Sequence, residues 1–229
     1  MKNFKAITVK SILMSLVTLT TLAMGAGSSV AWAEDIKGDA KAGEKKNAMC
    51  IGCHAIVGYQ ASFPQIYKVP KISGQNAKYI AAALEAYRKG DRKHPTMRAV
   101  AGSLTDQDIA DLAAFYEANG KTEGETAAPA AAELPAALKG KLAVCVTCHG
   151  TNFNNTTDPA NPRLAGQHAD YLKVSLHAYQ TKDNHMVGRS NATMVGMAAA
   201  LNDEDIDLAA KFLAGLPGEV KTVPHAKFR

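Results

Sequence analysis

The sequence predicts an all-α protein built from two tandem domains of the same kind. Three observations carry that expectation. A set of segments recurs in the same order after about 95 residues, apolar residues fall at helical spacing in both copies, and no stretch alternates apolar and polar residues as a strand would.

The first segment is set apart from both copies. Lys2, Lys5 and Lys10 precede the apolar run SILMSLVTLTTLAMG, and Ala31-Trp32-Ala33 supplies a small-residue cleavage pattern. This is the layout of a secretory signal, expected over 1–33 with cleavage after Ala33. The apolar run falls short of the ~20 residues a membrane span needs. The mature chain would start at Glu34 and be exported as a soluble protein without Trp32, the only tryptophan. The formal charge of +5 then falls to 23 basic against 21 acidic residues, a net of +2. That balance argues against a nucleic-acid partner, which needs a strongly basic face.

Domain one is expected over 34–119 and domain two over 136–229. The linker between them, 120–135, reads GKTEGETAAPAAAELP and has no apolar period. A domain of about 90 residues has a marginal core of its own. In each copy a helix is expected in the middle, with Ile80, Leu84 and Tyr87, or Leu172, Leu176 and Tyr179, on one face. A last helix follows, with a buried stripe at Ile109, Leu112, Ala113 and Tyr116, repeated by Ile206, Ala209, Ala210 and Leu213. Thr105 and Asn202 stand before acidic first turns, as helix caps do.

The chemistry lies at the start of each copy. CIGCH runs from Cys50 to His54 and CVTCH from Cys145 to His149, with no cysteine left over. An exported chain would ordinarily pair four cysteines as disulfides, but disulfides do not explain a histidine behind each pair. A four-thiolate zinc site needs its pairs roughly 15 to 20 residues apart, far closer than these. A redox dithiol belongs in a strand-helix-strand context that is absent here. On a helical turn both sulfurs share a face, so they can form thioethers along one porphyrin edge while the histidine lies beneath the iron. Two covalently bound haem c groups are therefore expected, at Cys50, Cys53, Cys145 and Cys148, with His54 and His149 as iron ligands. A buried porphyrin would also enlarge each small core.

For the opposite ligand, domain one has one methionine after its motif, Met97, whereas domain two has Met186, Met194 and Met197 and the histidines His168, His177 and His185. The repeat chooses among them. Thr96-Met97 and Thr193-Met194 each lie seven residues before the leucine that leads into the last helix, Leu104 or Leu201, so Met97 and Met194 are the expected ligands. His94, three residues before Met97, is the runner-up.

Two C-x-x-C-H units, the PKISGQ and PRLAGQ segments, the Thr-Met pairs and the DQDI and DEDI helix starts together resemble the dihaem cytochrome c4 family. The resemblance covers essentially the whole mature chain. It implies two class I cytochrome c domains related by a pseudo-twofold axis, and an electron carrier rather than an enzyme. By the same resemblance Pro70 and Pro162 would offer carbonyls to the Nδ1 protons of His54 and His149. Gln75, Gln167, Tyr79 and Tyr171 would line the pockets or approach the propionates. Implied partners are a quinol-cytochrome c reductase upstream and a terminal oxidase downstream, with peripheral membrane association. One departure is Ala55, where the second motif has Gly150.

Six-coordinate iron leaves no room for a substrate, so outer-sphere electron transfer is the expected task. A dihaem peroxidase or dehydrogenase is the alternative, as is a haem subunit of a larger oxidoreductase. Arg88, Lys89, Arg92 and Lys93 crowd the loop before Met97. They read either as a solvated loop or as a patch that steers an acidic partner.

Overall fold

The computed structural model describes residues 36–120 (half one) and 131–225 (half two). The expected signal over 1–33 and most of the expected linker lie outside the described residues. Half one holds α1 (Ala40–Lys46), α2 (Ala48–His54), β1 (Gln60–Ala61), β2 (Tyr67–Lys68), α3 (Ala77–Lys89), β3 (Arg92–Lys93), α4 (Pro95–Gly102) and α5 (Asp106–Ala118). Half two holds α6 (Lys139–Leu142), α7 (Val146–His149), α8 (Ala169–Gln180), β4 (Gly188–Arg189), α9 (Ala192–Ala199) and α10 (Asp203–Gly215). The strands are two residues each. β1 pairs with β2 within half one, but β3 pairs with β4 across the halves, setting Arg92 opposite Arg189.

The last helices start where their caps require. In α5 Thr105 accepts from the Asp108 N–H while Asp108 accepts from the Thr105 N–H, and Asn202 and Asp205 make the same reciprocal box in α10. Ile109, Leu112, Ala113 and Tyr116 are buried, as are Ile206, Ala209, Ala210 and Leu213. In half one α1 crosses α5 closely at Gly43. A Cβ there would stand 2.1 Å from the Asp111 carbonyl oxygen, so only glycine allows the approach. In half two the core gathers around Phe153, which meets Phe212 edge-on at 6.0 Å.

An ion pair pins each haem-motif region to its last helix. Lys46, four residues before Cys50, reaches Asp108 and Asp111, both at 2.7 Å. Lys141, four residues before Cys145, pairs with Asp205. The ammonium of Lys46, then the Asp39 N–H, holds the Asp111 carboxyl below its ordinary range. Lys141 and the Asn202 N–H do the same for Asp205. Because these folded-state values are depressed, their stabilisation is complete above the ordinary carboxylate pKa of about 4 and is lost as pH falls through the lower folded values. Thermal unfolding from pH 7 to pH 3 should show this. Lys46→Met is expected to lower the midpoint most at pH 7 and by a smaller amount at pH 3, where the pH is still above the carboxylates' depressed folded values.

Beyond α10 the chain crosses back to half one. The Lys221 N–H donates to Ser73 O at 2.8 Å, and Glu219 is held by Arg163 and by Asn154 Nδ2 at 3.0 Å. The two halves are thus joined by this return, by the β3–β4 ladder and by the side chains of the site.

Candidate functional site

A continuous cavity of about 1150 Å³ runs through both halves. Its walls repeat: Cys50, Cys53, His54, Ile80, Leu84 and Met97 in half one, and Cys145, Cys148, His149, Leu172, Leu176 and Met194 in half two. The apolar faces of α3 and α8 point here, which is why Leu84, Tyr87, Leu176 and Tyr179 are only half-buried.

Each histidine is fixed by one carbonyl. His54 Nδ1 lies 2.8 Å from Pro70 O and His149 Nδ1 lies 2.9 Å from Pro162 O. A carbonyl can only accept, so Nδ1 carries the proton and the Nε2 lone pair is left for a metal. Burial pushes both imidazoles below their ordinary pKa, with the carbonyl bonds opposing it, so the neutral ligating form prevails. Behind the histidines the backbones diverge. Ala55 sits at φ −102 and ψ 8, whereas Gly150 takes φ 79 and ψ 159, a region reserved for glycine. A Cβ on Gly150 would also lie 1.9 Å from Asn155 O.

Met97 and Met194 are each the third residue of a short helix, α4 or α9. The cap of each helix accepts from the methionine's own N–H: His94 Nδ1 at 3.4 Å and Asn191 Oδ1 at 3.0 Å. His94 therefore stands where Asn191 stands, as a helix cap, and this accounts for its position three residues before Met97. Met186 is exposed and away from the cavity, Met197 reaches its edge, and His168, His177 and His185 are not among its lining residues.

The remaining polar residues, Gln75, Gln167, Tyr79 and Tyr171, line the cavity with their polar ends engaged by protein groups. Gln75 and Gln167 line the cavity, but their amide ends are engaged by backbone of the opposite half. The Tyr79 and Tyr171 hydroxyls both accept from Arg92, at 3.0 and 2.7 Å. Arg92 is only 9% exposed, so it belongs to no solvated patch. Its former neighbours are dispersed. Arg88 pairs with Asp106 at 2.6 Å, Lys89 with Glu85 at 3.2 Å, and Lys93 donates to Asn184 O at 2.6 Å. A signal for Arg92 was present: Arg92 and Arg189 each lie five residues before the matched methionine.

Arg189 completes the cluster. It donates to Ser175 Oγ at 2.8 Å and Tyr171 at 3.3 Å and stacks on Tyr179, as Arg92 stacks on Tyr87 at 4.7 Å. Among the described residues neither guanidinium pairs with a carboxylate, and Arg92 Nε is buried without a partner. Burial raises the Tyr171 pKa, yet the two guanidiniums outweigh it and bring the hydroxyl down to about 7. At Tyr79, which accepts from Arg92, burial prevails over the guanidiniums and pushes the pKa up to about 12. Two buried cations without a paired carboxylate cost several kcal/mol unless an anion joins them. A flat apolar group with carboxylate arms, attached at the cysteines, fits this cavity, and haem is such a group.

Comparison with known proteins agrees. The cytochrome c family model matches residues 40–118 and again 137–217. Cytochrome c4 of Azotobacter vinelandii is 34% identical over 194 residues, covering 78% of this chain and 90% of that protein. The crystal structure of reduced recombinant cytochrome c4 from Pseudomonas stutzeri superposes with a TM-score of 0.55 at 27% identity, covering 79% of this chain and all of that one. A thiosulfate dehydrogenase electron acceptor of Stutzerimonas stutzeri is 29% identical over 177 residues, 73% of this chain and 78% of that protein. Doubled haem motifs, a cavity walled twice by the same side chains and these relatives converge on one conclusion: the chain belongs to the cytochrome c4 family, a dihaem c-type cytochrome of electron transfer with two covalently bound haem c groups.

Proposed function

We infer that this protein is a periplasmic electron carrier, not an enzyme, moving electrons from a quinol-oxidising complex to a terminal oxidase. In this reading Cys50 and Cys53, and Cys145 and Cys148, form the thioethers. His54 with Met97 and His149 with Met194 would hold the two irons, and Arg92 and Arg189 would supply the positive charge that the carboxylate arms need. The observation that carries it is the duplication itself: both parts of the cavity present one histidine and one capped methionine.

Haem iron supplies reversible one-electron chemistry. The chain's residues do the rest. His54 and His149 are held in one tautomer by prolyl carbonyls, Met97 and Met194 are set by helix caps, and the apolar walls exclude water and limit reorganisation. With all four thiols in thioethers, no cysteine remains as an axial ligand for a dehydrogenase-type centre. Among the described residues no helix is long and apolar enough to cross a membrane.

A redox titration with optical detection is expected to show two one-electron steps, and the reduced protein should not bind carbon monoxide rapidly. Fast stoichiometric binding at one haem would favour an enzyme. The similarity to a thiosulfate dehydrogenase electron acceptor supports a second donor, a sulfur-oxidising dehydrogenase. Reduction rates with each purified donor separate the two readings.

A further inference from the structure

Gln75 and Gln167 follow left-handed glycines in matched turns, Gly74 at φ +81 and Gly166 at φ +73. Both are 4% exposed, and each reaches the other half. Gln167 Oε1 accepts from the Lys71 N–H at 3.0 Å, and its Nε2 donates to Lys71 O at 2.9 Å. Gln75 treats Arg163 in the same way, accepting its N–H at 2.8 Å and donating to its carbonyl at 3.0 Å.

The peptide that each glutamine grips is the one that holds a histidine. Pro70 O and the Lys71 N–H are two ends of a single peptide group, so one chain of hydrogen bonds runs from His54 Nδ1–H through that peptide to Gln167 Oε1. A second runs from His149 Nδ1–H through the Pro162–Arg163 peptide to Gln75 Oε1. Such chains polarise cooperatively: a peptide whose N–H is well accepted has a more electron-rich oxygen and draws harder on the imidazole proton.

Further bonds hold the same platforms. Asp170 Oδ2 accepts from the Lys68 N–H at 2.9 Å, and Asn76 Nδ2 donates to Asn161 O at 2.8 Å. Both of these also cross between the halves.

We propose that Gln75 and Gln167 are positioning residues that set the basicity of the histidine in the opposite half, so that each haem site is tuned from across the interface. The proposal rests on His54 and His149 being iron ligands. A more basic imidazole favours ferric iron and lowers the potential. Loss of the glutamine acceptor therefore raises it, and does so in the half that was not mutated.

The test uses Gln167→Met and Gln75→Met in the holoprotein, with the two potentials assigned to their sites by hyperfine-shifted NMR signals. Gln167→Met is expected to raise the half-one potential and leave half two in place, and Gln75→Met to do the reverse. A shift confined to the mutated half, an equal shift in both, or no shift would overturn the proposal. In the unaltered holoprotein the Lys71 and Arg163 amide protons should exchange as slowly as those of α5. Fast exchange there overturns the proposed glutamine–peptide hydrogen bonds even if the variants do not fold. Failure of the ligand reading is distinct, since it would appear in the unaltered protein as spectra without histidine-methionine ligation.

Discussion

Met97→Ala is expected to drop the potential of the half-one haem by ~0.2 V, a sizeable part of the roughly 0.8 V that axial ligation spans. At 59 mV per decade for one electron this is more than a thousandfold in the transfer equilibrium. The half-two potential should stay within a small margin of its parent value. The sulfur stands on a capped third helical position, so truncation removes the ligand without disturbing the His94 bond to the backbone N–H. His149 and Met194 belong to the other part of the cavity. Met194→Ala is the mirror experiment. Optical spectroelectrochemistry of both variants checks the ligand reading, and a variant spectrum identical to the parent would dismiss it. Carbon monoxide should now bind the reduced variant at one haem only.

Arg92→Leu should lower both potentials and destabilise the holoprotein by roughly 3–5 kcal/mol, the usual cost of leaving one partner of a buried ionic contact alone. For a domain pair of this size that corresponds to a fall of about 10 °C in the thermal midpoint. Arg92 lies between the halves, donating to Tyr79 of one and Tyr171 of the other and standing opposite Arg189 in the β3–β4 ladder. A buried positive charge there opposes the extra charge of ferric iron in either half, so its removal favours oxidation of both. Arg92→Lys should rescue poorly, because a single ammonium cannot serve two hydroxyls through the planar fork and also stack on Tyr87. Lys89→Glu is the contrast. Lys89 is exposed and, among the described residues, paired with Glu85 one turn away, so its replacement should change stability by well under 1 kcal/mol. Thermal unfolding and potentiometry of the three variants decide the matter.

The difference between Arg92 and Lys89 shows where sequence reasoning stopped. Both looked like members of one basic loop. One forms a helical pair four residues apart, and the other is withdrawn into an interface with residues 79 and 97 positions away. Gln75 and Gln167 were likewise expected near the pockets, and they do line the cavity. Their bonding partners, however, lie 88 and 96 residues away in the chain. His94 looked like a spare ligand until its Nδ1 was seen to cap α4.

By itself the sequence determined the two haem motifs, the repeat, the buried stripes of α5 and α10, and the caps at Thr105 and Asn202. The motifs, stripes and caps depend on spacings within a few helical turns, where covalent geometry and the 3.6-residue period leave little freedom, and the repeat is legible because those local patterns occur twice. Only the tertiary structure decided the cross-half ladder, the buried pair Arg92 and Arg189, the return of Lys221 to Ser73 and the glutamine bonds to the histidine platforms. Those depend on which surfaces meet when two similar halves dock. A backbone amide or a guanidinium carries no local pattern that names a partner some ninety residues away.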